Sequence, residues 1–542
     1  MDSQESPAAY YRLGAGQAAY WRRKSKSLSV LNIVLVILLV LCTFVLLSAV
    51  LHRHNAGRGP CVFPGPGSRC FWPFARHHTV LLISMDGFRH DYLENVRARL
   101  GPNSLPNFAR FEAGGIRANQ SVNIFPTVTM PNHQTLLTGL YAQHHGIVGN
   151  NVLDTHWPNL LLSMDNQTSL NEDPWLDDWP EPIWATLQKA GGLAGSLLWP
   201  LTDRPVDNDL PFQQVSQFTL LDNNMIRYPY TKRVDDLLWW LSNSRFHLDL
   251  IMAYFDEPDE TGHAYGPDSP ELADTVVHLD STLGRFLDGL EHHGLLDKVD
   301  IILTADHGMS SISADRLIPL DKFVDPSLYH CTQFSTVGFL YPAAGKAQEV
   351  YDKLHGAHEH LHVYWLHDVP KDLHFSLNTS RMPPIVLVPD PLWYIVHKQD
   401  THPIAGNHGF SPNFTEMHPF FIASGPSFRA GETVEVVNSV DVYPLLCRLL
   451  QIAPKPHNGS FARIATELLK PEVAERLMAL DRWPQWLFWL AIEAELLWFL
   501  FMFTLVLFIT VGLVLSLRVQ HRYKQLALHS EDEYDGKHTS LA

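Results

Sequence analysis

The stretch Thr79-Val-Leu-Leu-Ile-Ser-Met85 is short and apolar, and it halts at Asp86-Gly87. A run of this length without polar alternation reads as a strand buried on both faces of a parallel sheet. Two other stretches share the form. Leu248-Asp-Leu-Ile-Met-Ala-Tyr-Phe255 halts at Asp256, with Asp259 just beyond, and Val299-Asp-Ile-Ile-Leu-Thr304 halts before Asp306-His307-Gly308. Between these two, Ser269-Pro270 opens a stretch that sets Leu272, Val276, Leu279, Leu283, Phe286 and Leu290 on one helical face. Ser before Pro is a helix start, and the spacing is that of a helix. Strand, helix, strand predicts a right-handed crossover in an α/β sheet. Ligands of such sheets bind outside the carboxyl ends of the strands, and here three strands each place an aspartate at that end.

One aspartate at a strand end is more often a turn former than a ligand. Three on one edge, two of them accompanied by histidines, predict a metal centre. Asp259 and His263 are spaced to share a cation within one turn, whereas adjacent Asp306 and His307 would diverge from a strand end toward two neighbouring ions. His408, in Gly406-Asn-His-Gly409, adds an imidazole in a glycine-flanked loop. Mixed carboxylate and imidazole donors favour zinc over magnesium or calcium, which prefer oxygen shells. The chain has 30 histidines, so only spacing to carboxylates makes any of them informative.

A candidate nucleophile lies in Phe125-Pro-Thr-Val-Thr129-Met-Pro-Asn-His133-Gln-Thr-Leu-Leu-Thr-Gly139. Pro131 near a first turn and Gly139 at the end predict a short helix. Thr129 at its N-terminus would gain from the positive dipole end, but a threonine needs a base or metal to become nucleophilic. The bland alternative is a simple N-cap.

Together, Ser84-Met-Asp86-Gly-Phe-Arg89, Thr129-Met-Pro-Asn-His133, Glu257-Pro-Asp259-Glu-Thr-Gly-His263, Ala305-Asp306-His307-Gly-Met309 and Asn407-His408-Gly409 resemble the nucleotide pyrophosphatase/phosphodiesterase family of the alkaline phosphatase-like superfamily. The resemblance spans about residues 78–463 and includes Asn438-Ser-Val-Asp-Val-Tyr-Pro-Leu. It implies an alkaline phosphatase-like α/β/α sandwich with a mixed, mostly parallel sheet. It also implies two Zn2+ ions, one held by Asp86, Thr129, Asp306 and His307, the other by Asp259, His263 and His408. Asn150 matches the asparagine that donates to a phosphoryl oxygen, with Asn151 the neighbouring candidate. The implied reaction is hydrolysis of a nucleotide or other phosphodiester substrate, or of a pyrophosphate bond, through a threonyl-phosphoryl intermediate. Two dications against three aspartates and one alkoxide leave a near-neutral shell, which suits a singly charged diester. Two departures touch the substrate pocket. Met130 stands where nucleotide-selective members carry an aromatic residue against the base, and Trp199-Pro200-Leu201 replaces a glycine after Trp-Pro. A phospholipid or choline-phosphate phosphodiesterase is the nearest rival, and an inactive binding ectodomain is the rival from another class.

Composition and charge set the surroundings. A 46% hydrophobic, 18% charged chain of 542 residues suits a globular protein with added membrane segments. A formal charge of −17 argues against nucleic-acid polymer binding, which needs a basic face. Residues 28–51 are charge-free and follow Arg22, Arg23, Lys24 and Lys26. Their length favours an uncleaved signal anchor over a signal peptide, with the N-terminal flank cytoplasmic. Residues 496–517 form a second charge-free run, ending at Arg518, Arg522 and Lys524. The reading is a cytoplasmic tail (1–27), a transmembrane helix (28–51), a neck (52–77), a catalytic domain (78–484), a second transmembrane helix (496–517) and a cytoplasmic tail (518–542). The protein would thus be membrane-embedded, with its catalytic domain extracytoplasmic. Asn119, Asn166, Asn378, Asn413 and Asn458 open glycosylation sequons in that domain. Cys42 falls inside the first span. Cys61, Cys70, Cys331 and Cys447 allow three pairings, with Cys61–Cys70 across the Pro/Gly-rich neck favoured and four free thiols the alternative. No feature fixes an oligomeric state.

Overall fold

The computed structural model describes residues 78–157, 161–163, 179–207, 209–216, 228–377, 379–397, 404–479 and 501–525. The first predicted span, the neck with Cys61 and Cys70, both tails, and sequon residues Asn166 and Asn378 lie outside the described residues.

The three apolar runs are strands β1 (Thr79–Met85), β5 (Leu250–Phe255) and β6 (Val299–Thr304), each buried along its whole length. They belong to an eight-stranded sheet with β2 (Gly115–Val122), β3 (Ala194–Leu197), β4 (Gln213–Val215), β7 (Phe421–Ser424) and β8 (Glu432–Asn438), in the order β8-β2-β7-β6-β1-β5-β3-β4. β1 pairs in parallel with both β5 and β6. The sheet's antiparallel contacts are those of β7, with β2 and β6. The mixed, mostly parallel α/β sheet expected from the sequence is what forms.

Alternation along β1 divides the two faces. Leu81, Ile83 and Met85 enter a core built with α1 (Tyr92–Leu100), α2 (Pro106–Ala113), α4 (Tyr230–Ser242) and α6 (Pro270–His292). On the other face, Ser84 Oγ meets His133 Nε2 of α3 (Thr129–Thr138) at 2.9 Å. α3 packs in turn on α7 (Ser439–Leu449). α6 starts as the sequence predicts: the Ser269 side chain accepts from Leu272 N at 3.1 Å, Pro270 occupies the first turn, and the predicted apolar face is buried. It links β5 to β6 across β1.

Between β6 and β7 the chain builds a four-stranded antiparallel sheet (Tyr329–Phe334, Gly338–Pro342, Ile385–Pro389, Leu361–Trp365). Returning from it, Gly406–Asn407 pairs with Ser310–Ser311, which sets His408 beside the segment after β6. Residues 78–479 belong to one compact unit. The helix Phe501–Gln525 belongs to another; an 18-residue stretch of it has a mean hydropathy of 2.3, and it is long and apolar enough to cross a membrane. It continues past the expected end at residue 517 through Arg518, Arg522 and Lys524, because long basic side chains continue a helix readily. Among the described residues Cys331 and Cys447 are free, so they do not pair with each other.

Candidate active site

Strand register gathers the aspartates. Met85 pairs with Phe255 and Ser84 with Thr304, so the segments that follow leave the sheet side by side. Asp86 N donates to Phe255 O at 2.8 Å, and Gly87 N donates to Asp306 Oδ1 at 3.2 Å. Gly87 (φ 67°) is required here: a Cβ on it would stand 2.8 Å from Asp259 Oδ1. Asp256, the residue at which β5 halts, faces elsewhere and pairs with buried Arg233 at 2.6 Å. The aspartate that this strand contributes to the cluster is Asp259, at the start of α5 (Asp259–Tyr265).

The histidines converge on these carboxylates. His307 Nε2 lies 3.2 Å from Asp86 Oδ1 and 3.1 Å from Asp306 Oδ2. The expected divergence of Asp306 and His307 therefore does not occur, because His307 turns back beneath its neighbour. His263 Nε2 lies 3.3 Å from Asp259 Oδ2, and His408 Nε2 lies 3.6 Å from Asp259 Oδ1. Each ring spends its other nitrogen on a backbone carbonyl: His307 Nδ1 on Gly308 O (2.9 Å), His263 Nδ1 on Gly406 O (2.9 Å) and His408 Nδ1 on Thr127 O (3.0 Å). A metal-ligating histidine typically has such an outer partner, which fixes ring and tautomer. Asp86 Oδ1, Asp259 Oδ1 and Asp306 Oδ2 are buried and accept no hydrogen bond among the described residues. Asp259, His263 and His408 form one group able to hold a metal ion, and Asp86, Asp259 and His307 form another. Donor types and orphaned oxygens both fit a cation.

Electrostatics agree. Burial, reinforced by Asp306 and Asp259, drives the Asp86 carboxyl well up. Burial also pushes Asp259 up, but His263 and His408 outweigh it and hold it at about 2. His408 is pushed down to about 3 by burial and by His307, which keeps its imidazole in the neutral form that ligates metals.

Thr129 sits at the edge of this cluster, 4% exposed, with Oγ1 3.3 Å from His307 Nε2. It is the first residue of α3; Val128, in extended conformation, is the N-cap, so Thr129 does not cap the helix. Gly139 closes the helix in left-handed conformation, as the sequence predicts. Asn150 Oδ1 accepts from Met130 N at 3.0 Å, which anchors its amide beside Thr129, while Asn151 begins a short strand pair with Ser163.

Met130 departs from expectation. It is 2% exposed and packs with Ile124, Phe125, Ile147 and Leu201, so it supports the Thr129 turn and has no open face for a base. Leu201 shows what the missing glycine means, since its backbone is left-handed (φ 68°) in a bulky residue.

Several supporting residues carry no sequence signature. Asn132 ties down the preceding loop by accepting from Ile124 N and donating to Pro126 O and Val128 O. Thr127 Oγ1 donates to Phe410 O and accepts from Gly409 N, holding the His408 loop. Tyr254 donates to Asp86 Oδ2 at 2.5 Å. Neighbouring motif residues are the one available hint for Asn132; Thr127 and Tyr254 are visible only once strands and loops are assembled. Of the sequon asparagines, Asn119, Asn413 and Asn458 are exposed.

Residues 80–411 match the family model described as type I phosphodiesterase/nucleotide pyrophosphatase, a metal-dependent family. Human ectonucleotide pyrophosphatase/phosphodiesterase family member 5 is 38% identical over 382 residues, 70% of this chain and 76% of that protein. Human bis(5'-adenosyl)-triphosphatase ENPP4 is 34% identical over 384 residues, 70% of this chain and 80% of that protein. The solved murine ectonucleotide pyrophosphatase/phosphodiesterase 5, in an inactive threonine-to-alanine form in complex with AMP, superposes with a TM-score of 0.66 at 36% identity. It covers 72% of this chain and 100% of that one. On this likeness of sequence and fold, the chain belongs to the type I phosphodiesterase/nucleotide pyrophosphatase family of hydrolases.

Proposed function

We propose that the protein hydrolyses phosphodiester or pyrophosphate bonds of nucleotides and their derivatives through a threonyl-phosphoryl intermediate, on the extracytoplasmic side of a membrane. The observation that carries this reading is three imidazoles, each locked by a backbone carbonyl, turning their Nε2 atoms onto buried carboxylates beside Thr129 Oγ1.

Asp86, Asp306, His307 and Thr129 would hold one zinc ion, and Asp259, His263 and His408 the other. When bound, the ions supply Lewis-acid charge that favours the threonine alkoxide and offsets negative charge on the phosphoryl group. Thr129 Oγ forms the new bond to phosphorus as the bond to the leaving oxygen breaks, and its hydroxyl proton leaves to solvent. Asn150, held through its Oδ1 by Met130 N, keeps its amide protons for an equatorial phosphoryl oxygen. Water then cleaves the Thr129 phosphoester, releasing the phosphoryl product and restoring the hydroxyl. The AMP bound to the inactive murine relative supports a nucleotide substrate.

The helix Phe501–Gln525 and the charge-free run at 28–51 support two membrane anchors, the basic flanks at 22–26 and 518–524 support cytoplasmic tails, and the sequons support glycans on Asn119, Asn166, Asn378, Asn413 and Asn458. Zn2+ and turnover are measured together on the purified full chain, with a dinucleoside polyphosphate, a nucleotide diester and a lysophospholipid. Zinc-dependent turnover of the nucleotides is expected. Turnover confined to the lysophospholipid would move the chain to a lipid substrate, and none at all, with zinc bound, to a binding role.

A further inference from the structure

Four arginines are buried among the described residues: Arg89, Arg204, Arg233 and Arg381. Three have carboxylate partners. Arg89 pairs with Asp91 at 2.6 Å, Arg233 with Asp256 at 2.6 Å, and Arg381 with Asp154 at 3.3 Å. Arg204 is 3% exposed, and among the described residues its Nε and Nη1 have no acceptor. Burial and nearby Arg381 both disfavour its charge, which a guanidinium does not shed in a protein. An uncompensated buried charge is among the most unfavourable features a fold can carry.

The surroundings look built for a partner. The guanidinium carbon lies 3.6 Å from the Trp179 ring centroid, which fixes the plane of the fork. Trp179 Nε1 is itself a buried donor without an acceptor among the described residues. Both side chains line a cavity of about 230 Å³, whose wall also includes Gln134, Thr202, Leu201 and Asp207. That leaves room for several groups of water size, since water occupies about 30 Å³ each in the liquid. The wall's carboxylate, Asp207, is bound by Lys189. No proposed metal ligand lines the cavity, although Gln134 and Leu137 of α3 do.

We propose that this cavity is a binding site for a small oxyanion, received by the Arg204 fork and the Trp179 indole N–H and distinct from the metal-ligand cluster. Guanidinium pairs with phosphate, sulfate and carboxylate alike, through parallel charge-assisted hydrogen bonds. Separate titrations distinguish these sources.

The full chain in detergent is stripped of metal with a chelator, which leaves Asp86, Asp259 and Asp306 to repel anions from the catalytic cluster. Its melting temperature is then followed against inorganic phosphate, sulfate and acetate, with chloride at matched ionic strength as reference. A saturable rise beyond chloride is expected with at least one of the three, and the strongest names the ligand class. Arg204→Gln should weaken the apparent affinity at least about tenfold, the scale of a lost charged hydrogen bond. Arg204→Lys, which keeps the charge but loses the fork, should fall between and serves where the glutamine variant does not fold. No rise beyond chloride in the wild type, as when a carboxylate of the chain itself fills the cavity, overturns the proposal. So does a variant that titrates like the wild type.

Discussion

The rings of His307 and His408 stack with centroids 3.4 Å apart and planes 11° from parallel, although one follows β6 and the other returns from the four-stranded sheet. The stack holds both Nε2 atoms toward the carboxylates while Gly308 O and Thr127 O occupy the Nδ1 atoms.

If this is the proposed metal centre, His408→Ala or Asp259→Asn should lower bound metal and turnover together. The loss should exceed the roughly 10–100-fold that follows removal of an outer partner. Metal analysis of the folded variants decides it: a full metal complement in either would remove that residue from the ligand set.

Thr129→Ala should reduce turnover on the order of 10⁴-fold or more, the scale for a lost nucleophile. Thr129→Ser keeps a hydroxyl at the first position of α3 and should retain a measurable fraction. Single-turnover kinetics on a nucleotide diester provide the check, and normal turnover by a metal-loaded alanine variant would exclude the assignment.

Arg233 is fully buried and pairs with Asp256 while donating to Tyr254 O and Tyr228 O. Replacing Arg233 by Met strands a carboxylate beside the candidate site and should cost about 3–5 kcal/mol. Adding Asp256→Asn should recover part of that loss. Chemical denaturation of the single and double variants measures it; a double variant no more stable than the single would assign the cost to lost backbone contacts.

The sheet was legible because β1, β5 and β6 are buried on both faces and so carry apolar runs that stop at their carboxyl ends. Thr129, Asp259 and His263 were legible for a related reason, since a helix start and one turn are local. What lay beyond reach was set by partners distant in sequence. Asp256 and Asp259 look equivalent along the chain, and only Arg233, from α4, separates them. Adjacent Asp306 and His307 looked divergent because ring orientation depends on the carboxylate of Asp86, far earlier in the chain. Met130 looked like a pocket residue because its burial depends on Leu201 and the segment around Val148, which no local pattern reveals.

His145 offers a pH test away from the carboxylates. Its Nδ1 accepts from Ile147 N and its Nε2 meets Thr135 Oγ1 of α3, so the buried ring is neutral. Burial pushes it down to about 3, against about 6.5 in an unfolded chain. Between those values the unfolded state binds the extra proton, so stability is full above about pH 6.5 and falls as pH drops toward 3. The slope reaches up to about 1.4 kcal/mol per pH unit. His145→Gln can keep both hydrogen bonds without titrating and should flatten the acid limb by about one proton. Denaturant unfolding from pH 7 to 4 reads that slope; an unchanged limb would place the proton uptake elsewhere.

Leu201 sets backbone strain against burial. A left-handed conformation disfavours a residue with a Cβ by roughly 1–2 kcal/mol, and Leu201 holds it at φ 68°. Its side chain is 5% exposed and packs in the cluster that contains Met130, where truncation of a buried leucine to alanine costs about 2–5 kcal/mol. Leu201→Gly forfeits that packing but relieves the strain, so it should be destabilised by about 1–3 kcal/mol net. Leu201→Ala forfeits most of the packing and keeps the Cβ in the left-handed region, so it should be less stable than the glycine variant by about 1 kcal/mol. The expected order is leucine, then glycine, then alanine, whereas a residue of ordinary backbone conformation would rank alanine above glycine. Unfolding midpoints of the three proteins give the ranking. Alanine above glycine would show that the turn relaxes when the side chain is removed, and that packing alone decides the residue at this position.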